Sequence, residues 1–215
     1  MNLPGDMGQS AEQFWVAATG HTIRGMILDA WRANGAEAVW GNPVSEPFES
    51  PAGFYSQAFE NGIAQYYDEY AYSNYPMVRL APSGELLFDD RNGSGWRRDG
   101  RRIGGGGDRR TGIWVKIGSD SSAAQRLRGD DFFDAEAGYI VTGGFATWWR
   151  ANEGDFQLGS PLSQAFEESG SRIQYFAQGA LVGRGGQVSL MPVGRAIAER
   201  WGIDTTPLEQ GDLRR

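Results

Sequence analysis

The sequence predicts an α+β fold: a tandem duplication of one unit, each copy a helix, a Gly-X-Pro loop and a β-hairpin, with a Gly/Arg-rich insertion between copies. Three observations carry this reading. Trp31-Arg32-Ala33-Asn34 returns as Trp149-Arg150-Ala151-Asn152, 118 residues downstream. Gly41-Asn42-Pro43-Val44-Ser45 and the pair Phe48-Glu49 return at the same spacing as Gly159-Ser160-Pro161-Leu162-Ser163 and Phe166-Glu167. Glycine supplies 32 of 215 residues, about twice ordinary usage, which favours short elements joined by many turns. A repeat at fixed spacing speaks about architecture before it speaks about activity.

Composition narrows the function classes. A hydrophobic fraction of 40% with 13% aromatic residues is ample for a packed core in a chain of this length. The net charge of -7 repels polyanions, so non-specific nucleic-acid binding is excluded for the molecule as a whole. Of the 20 basic residues all but Lys116 are arginine. There is no cysteine, hence no disulfide, thiolate metal site or cysteine nucleophile. No run of 18 apolar residues is present, and residues 1–10 lack the basic and apolar segments of an export signal. No membrane span is expected.

Taken in order, residues 1–19 form an N-terminal extension ending in the apolar patch Phe14-Trp15-Val16-Ala17-Ala18, readable as a helical turn or a strand. Unit one spans 20–88. Thr22 is a candidate N-cap, and Ile23, Met26, Ile27, Ala30 and Trp31 recur at helical spacing on one face. Asn34-Gly35 supplies a stop. The glycine and proline of Gly41-Asn42-Pro43 bend the path leaving the helix. Alternation from Tyr55 into Asn61-Gly62 reads as a β-hairpin, and Leu80-Ala81-Pro82-Ser83-Gly84 precedes a short apolar helix.

Unit two, residues 138–204, repeats the plan. Thr142 is the candidate cap, Phe145, Trp148 and Trp149 form the face, and Asn152 with Gly154 is the stop. The hairpin turns at Gln178-Gly179, and Leu190-Met191-Pro192-Val193-Gly194 closes the unit. Between the copies, residues 89–137 hold the insertion. Its first part, 89–112, contains seven arginines, four aspartates and eight glycines and reads as a loop. Residues 111–118 alternate like a strand, and 119–131 are polar. Residues 205–215 read as a frayed tail.

Gly159-Ser160-Pro161-Leu162-Ser163 with Gln174-Tyr175-Phe176-Ala177-Gln178-Gly179 resembles the LGFP-type repeat of bacterial cell-wall proteins. The longer frame of Gly-His/Tyr, helix, Trp, Gly-X-Pro and aromatic hairpin resembles modules found beside L,D-transpeptidase and peptidase domains. The resemblance covers about residues 20–88 and 138–201. It implies an extracellular or cell-surface accessory module that holds peptidoglycan or another wall polymer. The Ser-His-Gly-Cys element of a transpeptidase is absent.

Several residue groups invite chemistry. Tyr66, Tyr67, Tyr70, Tyr72 and Tyr75 have no counterpart in unit two; they form either a face suited to sugar rings or a protein partner, or a strand whose rings fill a gap. Arg97, Arg98, Arg101, Arg102, Arg109 and Arg110 can grip an anion or partner, or simply solubilise a loop. Asp90, Asn92, Ser94 and Gly95 open like a calcium loop, but Arg98 and Arg101 occupy its ninth and twelfth positions, so no metal site is expected. His21, the single histidine, is replaced by Tyr139 in unit two, and no acid or oxyanion partner for a serine-histidine device is evident. Glu46 with Glu49, and Glu167 with Glu168, are carboxylate pairs of the kind a glycosidase uses. Trp31 and Trp149 read as core anchors.

The sequence therefore predicts a non-enzymatic envelope module, without cofactor, that binds a cell-wall glycan or an envelope protein. A structural subunit of a surface assembly, forming homo-oligomers, is the alternative, and a wall glycoside hydrolase the more remote one.

Overall fold

The computed structural model describes residues 12–67, 77–92 (backbone only from 88), 113 and 115–209. The chain runs β1 (Gln13–Val16), β2 (His21–Arg24), α1 (Gly25–Ala33), α2 (Ala36–Val39), β3 (Phe48–Glu49), β4 (Tyr55–Phe59), β5 (Gly62–Tyr67), β6 (Met77–Leu80) and α3 (Ser83–Asn92). It continues through β7 (Phe132–Asp134), β8 (Tyr139–Val141), α4 (Gly144–Ala151), α5 (Gly154–Gln157), β9 (Phe166–Glu168), β10 (Ser171–Phe176), β11 (Gly179–Arg184), β12 (Gln187–Leu190) and α6 (Gly194–Arg200). The fold is α+β, and one element order occurs twice. Two compact units result: Met1–Ala81 with Pro192–Arg215, and Pro82–Met191.

In the first unit β1 and β2 form an antiparallel hairpin, and β3-β4-β5-β6 form an antiparallel meander. Phe59 pairs with Gly62 across the Glu60-Asn61 turn, the hairpin expected there. From Ser56 to Phe59 every residue of β4 is buried. Successive strand residues point to opposite faces, so both faces of this sheet are covered. α1 packs against β5 and β6, and α6 against β4 and β5. Ile23, Ile27, Leu28, Trp40, Phe59 and Ile63 are fully buried, with the Trp40 and Phe59 rings edge to face at 5.7 Å.

The second unit has the same parts. β7 pairs with β8, and β9-β10-β11-β12 form a meander turning at Ala177-Gln178, with Phe176 opposite Gly179. α4 packs on β11 and β12, and α3 on β10 and β11. Phe145, Leu158, Phe176 and Leu181 are buried in its core. Ile113, Phe166, Ile173, Tyr175 and Ala180 form a cluster that Leu87 of α3 joins.

The compact units therefore differ from the spans 20–88 and 138–204. Within its own compact unit, α3 packs on the β10-β11 hairpin although it follows β6 in the chain, and α6 packs on the β4-β5 hairpin although it follows β12. Glycine makes this seating possible. A Cβ on Gly84 would overlap the Phe176 carbonyl oxygen and stand 2.6 Å from that of Gly179. A Cβ on Gly194 would overlap the Phe59 carbonyl oxygen and stand 2.6 Å from that of Gly62. Any larger residue would lift the helix off the hairpin end.

Four expectations are corrected. Thr22 is not a cap: it is buried in β2, and its backbone N–H donates to Glu46 Oε1 at 2.9 Å. Cross-strand pairing with β1 keeps the chain extended through Arg24, and the turn into the helix falls at Gly25, φ +59°. Thr142 likewise does not cap α4; Gly143, φ +61°, precedes the helix. Residues 115–118 form no strand; the Ile113 carbonyl accepts from the Gln164 N–H and the Ile117 N–H donates to Gly138, isolated bonds in place of a ladder. The chain beyond Thr205 is not frayed as far as Leu208, whose N–H donates to the Gly20 carbonyl at 2.8 Å.

The β1-β2 and β7-β8 hairpins fall partly in the spans read as extension and insertion. Val16 pairs with His21, and Asp134 with Tyr139, so the common element order begins upstream of residues 20 and 138.

Candidate functional site

β1 and the last turn of α1 bring an acid, two aromatic rings and a guanidinium together. Trp31 is 7% exposed because its Nε1–H donates to the Gly41 carbonyl at 2.9 Å, holding the ring against the bent loop. Phe14, opposite Ile23 in the hairpin, lies with its ring centre 5.8 Å from that of Trp31. The Arg32 guanidinium stands 5.8 Å from the Phe14 ring centre, a cation-π arrangement. Both of its terminal nitrogens donate to the Glu12 carboxylate, at 2.6 and 2.9 Å. That hydrogen bonding, reinforced by the guanidinium charge, holds the Glu12 carboxyl below its ordinary pKa. Phe14 remains 40% exposed, so the cluster faces solvent.

The second unit places Asp130, Phe132, Trp149 and Arg150 in the corresponding arrangement, each 118 residues on. Phe132 and Trp149 have ring centres 4.6 Å apart, and the Arg150 guanidinium stands 5.7 Å from the Phe132 ring. Here the arginine donates through Nε to the Asp130 carbonyl at 2.8 Å, while the Asp130 carboxylate accepts from the Thr147 hydroxyl.

The Trp149 indole lies directly on Gly154, where a Cβ would overlap the ring, and its Nε1 is buried without a partner. Beside it opens a depression of about 320 Å³ lined by Trp149, Arg150, Glu153, Gly154, Asp155 and Phe156. Glu153 adopts φ +49°, a left-handed conformation costly for a non-glycine residue; Gly35 holds the matching position in the first unit with φ +85°.

The residues read as candidates from the sequence are distributed differently. Tyr67 is 6% exposed; its ring packs on Phe54 at 4.8 Å and its hydroxyl donates to Gln65 Oε1. Tyr66 is half-buried on β5. Tyr70, Tyr72, Tyr75, Arg97, Arg98, Arg101, Arg102, Arg109 and Arg110 lie outside the described residues. Asp90 and Asn92 fall in α3, and Ser94, Gly95 and the rest of the calcium-like stretch lie outside the described residues. Among the described residues no three acids or histidines cluster to hold a metal.

His21 is buried with its Nδ1 3.5 Å from Glu46 Oε1, the oxygen that accepts the Thr22 N–H. Glu167 stands opposite Arg172 on the neighbouring strand. Burial pushes the Tyr139 hydroxyl up to about 12.

The serines and glutamines of the Gly-X-Pro and hairpin motifs are spent inside each unit. Gln57 Nε2 donates to the carbonyls of Thr22 and Ser45, both at 2.8 Å, and Ser45 Oγ accepts the Ala58 N–H. Gln174 Nε2 donates to Ile140 and Ser163, and Ser163 Oγ accepts the Tyr175 N–H. The sequence frames 20–88 and 138–204 leave out the residues that complete the surface clusters. The signal was present upstream: Glu12-Gln13-Phe14-Trp15 against Asp130-Asp131-Phe132-Phe133, still 118 apart.

No protein-family model matches this chain, and no curated protein matches it. No helix among the described residues is long and apolar enough to cross a membrane.

Proposed function

We propose that the chain is a tandem duplication acting as a non-catalytic module of the cell envelope, holding a wall glycan or an envelope protein through one aromatic-guanidinium surface on each unit. The observation that carries this reading is the recurrence of Glu12, Phe14, Trp31 and Arg32 as Asp130, Phe132, Trp149 and Arg150, with the guanidinium 5.8 and 5.7 Å from the phenylalanine ring and that ring beside a tryptophan at 5.8 and 4.6 Å. Aromatic faces pack against sugar rings, and a guanidinium held in place meets carboxylates or hydroxyls at a wall polymer.

Extracellular or surface localisation follows from the resemblance to the LGFP-type repeat. Because the repeat's serine and glutamine are consumed by backbone hydrogen bonds, ligand contact falls to residues outside the motif. Of the tyrosines read from the sequence, Tyr67 is spent inside the unit, and Tyr66 with Tyr70, Tyr72 and Tyr75 is a second candidate contact within the same reading. The assembly alternative draws on one observation: α3 and α6 each pack on a hairpin distant in the chain, β10-β11 and β4-β5.

Co-sedimentation with purified bacterial sacculi tests the proposal. Saturable pelleting supports it, and a chain that stays in the supernatant at all concentrations rejects it.

A further inference from the structure

Each meander is covered by a helix that arrives from elsewhere in the chain, and the two arrivals differ while the docks match. α3 precedes the β10-β11 hairpin it covers; α6 follows the β4-β5 hairpin it covers. Even so, Gly84 and Gly194 meet corresponding carbonyls at the same close approach. The Gly194 N–H donates to the Glu60 carbonyl at 3.0 Å and the Glu85 N–H to the Ala177 carbonyl at 3.3 Å, and residues 60 and 177 hold the same place in their turns. One dock is thus reached through two tethers of opposite sense. Its seating rests on the local fit of a Pro-X-Gly helix start rather than on the direction of the tether.

The α6 side extends further. Trp201 lies edge to face with Phe48 of β3, ring centres 6.4 Å apart. Beyond it, Pro207 packs on Gly20, and the Leu208 N–H bonds the Gly20 carbonyl. Residues 192–208 therefore form an arm seated on the first unit, while the chain leading into it, through Met191, belongs to the second.

We propose that residues 192–208 are an exchangeable arm, and that two copies of this chain associate by docking each other's arms against β3, β4 and β5. The exchanged contacts are those already made within one chain, so association requires no new surface and its extent rises with concentration.

The chain has no cysteine, which makes thiol cross-linking a clean test. Phe48→Cys and Trp201→Cys are introduced in separate full-length chains, mixed at high concentration, and treated with a short bismaleimide. The expected product is a covalent dimer, joined from position 48 of one chain to position 201 of the other by peptide mass analysis, with a yield that climbs with concentration. A chain carrying both substitutions is treated in dilute solution and is expected to cross-link within itself, since the arm docks at that point. Internal cross-linking of that chain without any 48–201 dimer from the mixture overturns the proposal. Failure of the doubly substituted chain to cross-link also overturns it, because the arm is then not seated on β3.

Discussion

The Ser45 carbonyl accepts a 2.8 Å hydrogen bond from Gln57 Nε2, and the same serine's hydroxyl oxygen takes the N–H of Ala58, the residue after that glutamine. Ser163 and Gln174 are joined in the same way. These pairs stitch the bent loop to the meander from within a core where Ser45, Gln57, Ser163 and Gln174 are all essentially inaccessible to water. Removing the donor leaves buried carbonyls unpaired, which costs about 1–3 kcal/mol per group. Gln57→Leu and Gln174→Leu are each expected to lower stability by about 2 kcal/mol or more, read as a reduced urea midpoint at unchanged slope. An unchanged midpoint in either variant would show that the pair does not secure the loop.

The two repeated tryptophans are predicted to respond differently to the same change. Trp31 donates to Gly41 from a buried position, so Trp31→Phe loses that bond as well as ring volume and is expected to cost about 1–3 kcal/mol. Trp149 buries its N–H without a partner, so Trp149→Phe relieves an unsatisfied donor and is expected to cost less than the first substitution. Equilibrium unfolding of the two variants side by side decides the matter; equal losses would contradict the difference in bonding.

Part of this architecture is legible in the sequence. The stops at Asn34 and Asn152 are real, each side chain donating back to the carbonyl four residues earlier; both hairpins are present, turning one residue before the expected Asn61-Gly62 and Gln178-Gly179, with each glycine opening the second strand. These are local signals, fixed within a few residues. The strand character of Thr22 was not legible, because it depends on pairing with a strand in a stretch that carried no decisive pattern. The destination of α3 and α6 was not legible either. Gly84 and Gly194 stood out as a shared block, but the carbonyls that require glycine there lie on hairpins far away in sequence. Of the site, the arginines and tryptophans stand within the recurring Trp-Arg-Ala-Asn motif, whereas Phe14 and Phe132 lie just upstream of residues 20 and 138.

Glu12 supplies a pH prediction. Its carboxyl is held below the ordinary glutamate value by Arg32, so the folded state binds this proton less readily than the unfolded chain. The resulting contribution to stability is present above the ordinary glutamate pKa and is lost as pH falls through the lowered folded value. The pair is fully exposed, so its effect on overall stability is small. A carboxyl-detected NMR titration should place the Glu12 midpoint below that of an exposed glutamate, and Arg32→Ala should return it to the ordinary range. A normal midpoint in the parent chain would mean that the arginine is not held over Phe14 in solution.

The central claim is that the two aromatic-guanidinium clusters are contact surfaces. Its most direct test is saturation pelleting on bacterial sacculi by the parent chain, Phe14→Ala, Phe132→Ala and the double variant, each first shown to unfold cooperatively. The account predicts weakened binding in each single variant and at least a tenfold loss in the double. A folded double variant that pellets as the parent does would contradict it and turn attention to the tyrosine run after β5.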